Sequence, residues 1–176
     1  MIPELGQLAL VLALLLAFAQ AFLPLAGVSL NKPAWAATAR PVAIGQFLFV
    51  FLAWAALATS FVNHDFSVTN VAQHSNLRLP THYRLAASWG SHEGSMLLWA
   101  LMLGGWTAAV ALLSRHLPER IAARVIGIMG LISIGFLLFI LTTSNPFERL
   151  LPPAEDGRDL NPLLQDPGMV LHPPLL

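Results

Sequence analysis

Residues 5–28 form an unbroken apolar run that carries no charge and only two side-chain amides, Gln7 and Gln20. At 1.5 Å per residue, such a run reaches across the roughly 30 Å hydrocarbon core of a bilayer. In that medium every backbone N–H and C=O must find its partner within the segment, which leaves an α-helix as the form a single run can take. Three further runs, at about 42–62, 91–113 and 121–143, obey the same constraint. The chain therefore reads as all-α, a polytopic transmembrane helical protein with four spans. A loop at 63–90 and a tail at 145–176 form two long segments on one side. The first run is a span rather than a cleaved signal, because Met1 to Glu4 is acidic where a signal peptide is basic, and the apolar core is too long. Composition agrees: 56% of residues are hydrophobic and 10% charged, with a mean hydropathy of +0.68.

Small residues mark where the helices approach one another. Ala9, Ala13, Ala17 and Ala21 recur every fourth residue in the first span, and Gly127, Gly130 and Gly135 punctuate the fourth. Both patterns let neighbouring backbones come close. Gly104 and Gly105 do the same in the third. Pro41 suits the first turn of the second span, where its missing N–H costs nothing. Gln46, in the same helix, carries no functional expectation.

Nine Lys and Arg balance nine Asp and Glu, with no basic cluster, so nucleic acid is excluded as a partner. The absence of cysteine excludes a disulfide framework, a thiolate metal site and a thiol nucleophile. His64, His74 and His82 are spaced too widely for a zinc site and read as surface histidines. A weak alternation near Phe66 and Val68 suits a short strand or an irregular stretch within an ordered loop.

Four spans return both termini to one side of the membrane. The two short turns hold Lys32, Arg40, Arg115, Arg120 and Arg124 against Glu119 alone, and by the positive-inside rule they face the cytoplasm. Five of the six histidines, His64, His74, His82, His92 and His172, then lie on the outer face, and His116 lies inside.

Two stretches on that outer face concentrate polar and aromatic groups. Residues 89–99, WGSHEGSMLLW, stand where the outer loop becomes the third helix. With Gly90 as N-cap, Glu93 falls at the third helical position, favoured by the helix dipole. His92 is open to a proton-transfer, ligand or interfacial role, and Trp89 and Trp99 read as a membrane-boundary motif. Met96, Trp99, Leu103 and Trp106 share one helical face that packs or meets lipid. Neither His92 nor Glu93 is given a catalytic role. They remain weak candidates, and an ion- or proton-translocating subunit built on them is the competing function, with a structural membrane subunit lacking a cofactor as a third. The spans place no ionisable residue near their centres, against the usual pattern of transport pathways. In the tail, turn signals at Asn161-Pro162 and Asp166-Pro167-Gly168 precede His172, which Pro173 and Pro174 follow and stiffen. Such a histidine can offer a ring nitrogen to an iron.

The string WGSHEGSMLLW and the string LPPAEDGRDLNPLLQDPGMVLHPPLL at 151–176, with Glu4-Leu5-Gly6 and Arg40-Pro41, resemble the N-terminal part of the CcmF and NrfE family. These are the large membrane subunits of bacterial cytochrome c haem lyases, within the haem-handling protein superfamily. The resemblance implies that haem, delivered as haem b, is received on the outer face and joined through its vinyl groups to the CxxCH thiols of an apocytochrome c. It maps one haem axial ligand, hence the sole metal-binding role, onto His172. The family's tryptophan-rich segment, its second outer histidine and its membrane-embedded histidine pair lie farther along than this chain runs. The implied partners are the remainder of the same protein, the haem chaperone, the apocytochrome-binding subunit, apocytochrome c and the lipid bilayer. The implied place is the bacterial inner membrane, with both ends of the chain periplasmic. The apolar close of the tail reads as the start of a fifth helix outside the sequence, so the chain is expected to be a part, either truncated, which that close favours, or one piece of a protein encoded by a split gene, and inactive alone.

Overall fold

A computed structural model describes residues 1–175. The order is α1 (Ile2–Ser29), a single-turn α2 (Pro33–Ala36), α3 (Ala39–Val62), α4 (Thr69–His74), α5 (Thr81–Gly90), α6 (His92–Leu113), α7 (Glu119–Thr142), a 3-10 turn (Pro162–Gln165) and α8 (Pro167–Leu175). Four helical segments are long and apolar enough to cross a membrane: α1, the Pro33–Val62 unit, α6 and α7. Among the described residues there is no strand beyond one isolated antiparallel bridge, Val68 to Arg149. The all-α, four-span reading is borne out.

α1 packs along both α3 and α7, α3 continues onto α6, and α6 meets α7. The alanine stripe is the reason α1 can take that position: Ala9, Ala13, Ala17 and Ala21 are all buried, while Leu5, Leu8, Leu15 and Phe22 point outward as on a lipid-facing surface. Gly130 sets the approach of α7, because a Cβ there would come within 2.9 Å of the Ala21 backbone nitrogen. Beside it, the buried Gln20 donates from Nε2 to the Ile126 carbonyl at 3.1 Å, a hydrogen bond between spans.

The second span begins at Ala39 rather than Val42, so Arg40 lies in its first turn with Pro41. From there the Arg40 guanidinium donates to the carbonyls of Ala111 (2.6 Å) and Ser114 (3.0 Å). These carbonyls close α6, where a helix leaves acceptors without partners and where the dipole favours a cation.

The other end of the bundle carries a cap built from α4, α5 and the tail. Thr69 N donates to Glu148 O and Leu150 N to Ser67 O, both at 2.8 Å, and Arg158 N donates to Ala72 O at 2.8 Å. The alternation around residue 68 thus makes a single bridge with the tail, and two helices occupy the rest of the loop. The apolar core runs without a break from Leu10, Leu57 and Leu137 in the spans to Phe66, Val71, Phe147 and Leu160 in the cap. The tail holds more regular structure than its turn signals suggested. Asp166 accepts from Gly168 N at 2.8 Å with Pro167 as the first residue of α8, so what reads as a turn is a helix start.

Candidate functional site

The string at 89–95 forms the corner between α5 and α6. Ser91 is the hinge: its extended backbone (φ −93°, ψ 165°) ends one helix and begins the next, and its Oγ accepts from Gly94 N at 2.9 Å. The N-cap of the third span is therefore Ser91 and not Gly90, which closes α5. A hydroxyl can satisfy the orphan N–H at the third helical position and a glycine cannot. Glu93 moves to the second position of α6, half-buried, where its charge still meets the positive end of the dipole. Ser95 Oγ donates back to the Trp89 carbonyl at 2.7 Å. Gly94 is required by contact, since a Cβ there would lie 2.0 Å from the Ser88 carbonyl oxygen.

His92 opens α6. Its Nδ1 is 2.8 Å from the Oγ of the buried Ser144, and its ring stands edge-on to Phe139 with the centroids 6.0 Å apart, so it joins the start of α6 to the end of α7. Trp99 is about half exposed and tilts against Phe136. With Met102, Leu103, Trp106 and Ile132 these two line an apolar groove of about 510 Å³ between α6 and α7, on the helical face expected to pack or meet lipid.

Trp89 points the other way, into the cap. Its indole Nε1 donates to the Val170 carbonyl of α8 at 3.1 Å. Leu164 of the 3-10 turn packs so closely over Gly90 that a Cβ there would meet it at 2.9 Å, and Leu160 beneath is fully buried. His172, two residues beyond Val170, is exposed on α8. Trp89 thus bonds the helix that carries His172, across a long separation in sequence. The other cap histidines are engaged locally: His74 Nδ1 with Asn70 O at 2.9 Å, and His82 against the Tyr83 ring at 4.2 Å. Among the described residues no three His, Asp or Glu side chains gather in a way that could hold a metal ion.

Two arginines carry more of the cap than sequence reasoning gave them. Arg84 donates to the Val62 carbonyl that closes α3, to Thr81 Oγ1 at 2.6 Å and to His64 Nε2 at 2.8 Å. His64 must therefore be a neutral acceptor at Nε2, and burial, followed by the Arg84 charge, holds its imidazole below the ordinary histidine range. Arg149 pairs with Glu4 at 2.7 Å and reaches Asp65 at 3.8 Å, fastening the start of α1 to the cap. Only tertiary proximity reveals these partners, because nothing in their sequence spacing singles them out.

The architecture defines a class: a multi-pass helical membrane protein with a capped end, in which an interhelical corner docks a short histidine-bearing helix. The chain belongs to the cytochrome C assembly protein family, whose model matches residues 89–176, from the corner tryptophan through the tail. It is 58% identical over 177 residues to the cytochrome c-type biogenesis protein CcmF of Pseudomonas aeruginosa and 54% over 178 residues to that of Escherichia coli K12, covering 100% of this chain and 27% of each relative. NrfE of Haemophilus influenzae is 45% identical, over 100% of this chain and 28% of that protein. A solved structure of the cytochrome c heme lyase CcmF superposes with a TM-score of 0.78 at 27% identity, over 86% of this chain and 26% of the other. The chain therefore spans about a quarter of the length of these relatives. The resemblance of the two strings to the N-terminal part of CcmF holds.

Proposed function

We propose that this chain supplies the N-terminal membrane portion of a haem lyase subunit in cytochrome c maturation, and that His172 is one axial ligand of the haem handled there. The observation that carries the reading is the meeting of the two family strings: the α5–α6 corner grips α8, and α8 exposes His172. An exposed imidazole is the donor type that haem iron takes in proteins, so the residue fits its proposed partner. Haem, as haem b, is substrate in this reading. The chemistry it brings is addition of an apocytochrome cysteine S–H across a vinyl group, forming a thioether.

The chain's own residues hold the ligand helix in place, anchor it to four spans and keep the cap closed over the bundle end. The five cations of the short turns support a cytoplasmic position for that end and a periplasmic position for the cap and both chain ends, in a bacterial inner membrane. Partners on this reading are the rest of the lyase, the haem chaperone, the apocytochrome-binding subunit and apocytochrome c. The buried polar side chains of the spans, including Gln20, Gln46, Ser60, Thr107 and Ser133, are uncharged, which favours haem delivery over ion or proton translocation through His92 and Glu93.

The test is His172→Ala in the full-length protein. Lower Soret absorbance and less mature cytochrome c at normal protein levels are expected. Unchanged haem content with unchanged maturation would remove His172 from the site.

A further inference from the structure

α8 has nine residues, too few for a helix to hold its shape unaided, since isolated helices below about 12–15 residues are marginal in water. Its order has to come from docking and from satisfied backbone groups. Inside a helix the Val170 carbonyl would accept from the N–H four residues on. That residue is Pro174, which has no N–H to give. The two prolines therefore strip the helix of two donors, Pro173 toward the Met169 carbonyl and Pro174 toward the Val170 carbonyl, which leaves both acceptors free of a helical partner just N-terminal to the histidine. Trp89 supplies the replacement for the second, with Nε1 at 3.1 Å from the Val170 carbonyl.

The supply is well founded on the other side. Trp89 closes on a corner whose backbone is pinned by Ser95 Oγ on the Trp89 carbonyl and by the Ser91 cap on Gly94. Next to it, Leu164 seats on Gly90, and Asp166 caps the start of α8. The acceptor freed by Pro174 and the donor offered by Trp89 are two halves of one latch, and His172 sits between the latched carbonyl and the prolines.

We propose that Trp89 is a positioning residue for His172: its indole N–H stands in for the donor that Pro174 lacks and thereby sets where the imidazole is presented. The proposal rests on the reading of His172 as a haem ligand, but the latch can be measured without haem. Trp89→Phe keeps the ring and removes the donor, whereas Pro174→Ala returns the helix's own N–H. In the full-length protein in nanodiscs, Trp89→Phe is expected to speed hydrogen exchange of the amides at 168–172 about fivefold, as for loss of one net hydrogen bond. In the Pro174→Ala background the same substitution should change exchange less than twofold. With haem bound, Trp89→Phe should weaken the His172 axial-ligand signature in the optical spectrum, and added imidazole should restore it.

Equal exchange effects of Trp89→Phe in both backgrounds, or none in either, would overturn the latch. A background-dependent exchange effect beside an unchanged haem spectrum in His172→Ala would keep the latch and remove the ligand reading, and with it the positioning role toward haem.

Discussion

At the scale of single residues, the string WGSHEGS resolves into distinct physical jobs. Ser91 hinges two helices, Gly94 admits the Ser88 carbonyl, Ser95 ties back to Trp89, and Trp89 donates to α8. Glu93 sits one position earlier in the helix than a Gly90 cap would put it, while Ser91 makes the capping bond to Gly94. Glu93→Gln should therefore cost only about 0.3–1 kcal/mol through the dipole, while Ser91→Ala should cost about 1 kcal/mol through the lost cap. Equilibrium unfolding in detergent orders the two variants, and a larger loss for Glu93→Gln would contradict the cap assignment. Gly94→Ala should be worse than either, since its methyl would meet a backbone oxygen at 2.0 Å, which no side-chain rotation relieves. The string's identity was legible in the sequence. Its division of labour was not, because the Ser88 carbonyl enters only through the bend between α5 and α6, and Val170 only through tertiary contact.

At the scale of elements, packing between spans depends on small residues and on a few polar groups that close helix ends. Gly130 lies against the backbone of α1, so Gly130→Leu should separate α1 from α7 and abolish folded protein in membranes, whereas Gly135→Ala, with nothing within 4 Å, should be silent. Fluorescence-detected size exclusion of the two variants reads this contrast. The alanine stripe made the first of these contacts legible in advance, as spacing does for any face buried along a helix. Arg40 was legible as a positive charge in a short turn and as part of the family resemblance, not as the partner of a helix end. Its role at the end of α6 comes from the fold, and Arg40→Gln should leave the Ala111 and Ser114 carbonyls underpaired and lower the thermal midpoint, more than Arg115→Gln on the exposed turn.

At the scale of the whole molecule, the cap and the bundle share one apolar core, and Phe147 is a joint between them. It is 4% exposed and covers Gly6 at the start of α1. Phe147→Ala should cost about 3–5 kcal/mol and loosen the cap from the spans, seen as faster proteolysis of residues 145–165 in intact nanodiscs. Acid should act on the same end. His64 has its folded pKa lowered by burial and by Arg84, so as pH falls below about 6.5 the unfolded chain takes up a proton that the folded chain resists. Stability is thus full above that value and declines as pH falls toward the lowered folded pKa. Replacing His64 by Asn, which tolerates its φ of 53°, should flatten the thermal midpoint between pH 7.5 and 5.5. A slope equal to that of the wild type would show that the titrating group lies elsewhere.

Four spans, an all-α class, close packing along the alanine stripe and the family resemblance were determined by the sequence itself. Each follows from local physics: uncharged apolar runs in hydrocarbon must be helical, and residue spacing defines a helical face. What only the tertiary structure decided is which distant groups complete one another. Trp89 finds the carbonyl freed by Pro174, Arg40 the end of α6, Arg84 the end of α3, and Arg149 the carboxylates of Glu4 and Asp65. A hydrogen bond forms wherever the fold brings donor and acceptor within about 3 Å, and an ion pair wherever it brings opposite charges within about 4 Å. Separation along the chain carries no trace of that distance.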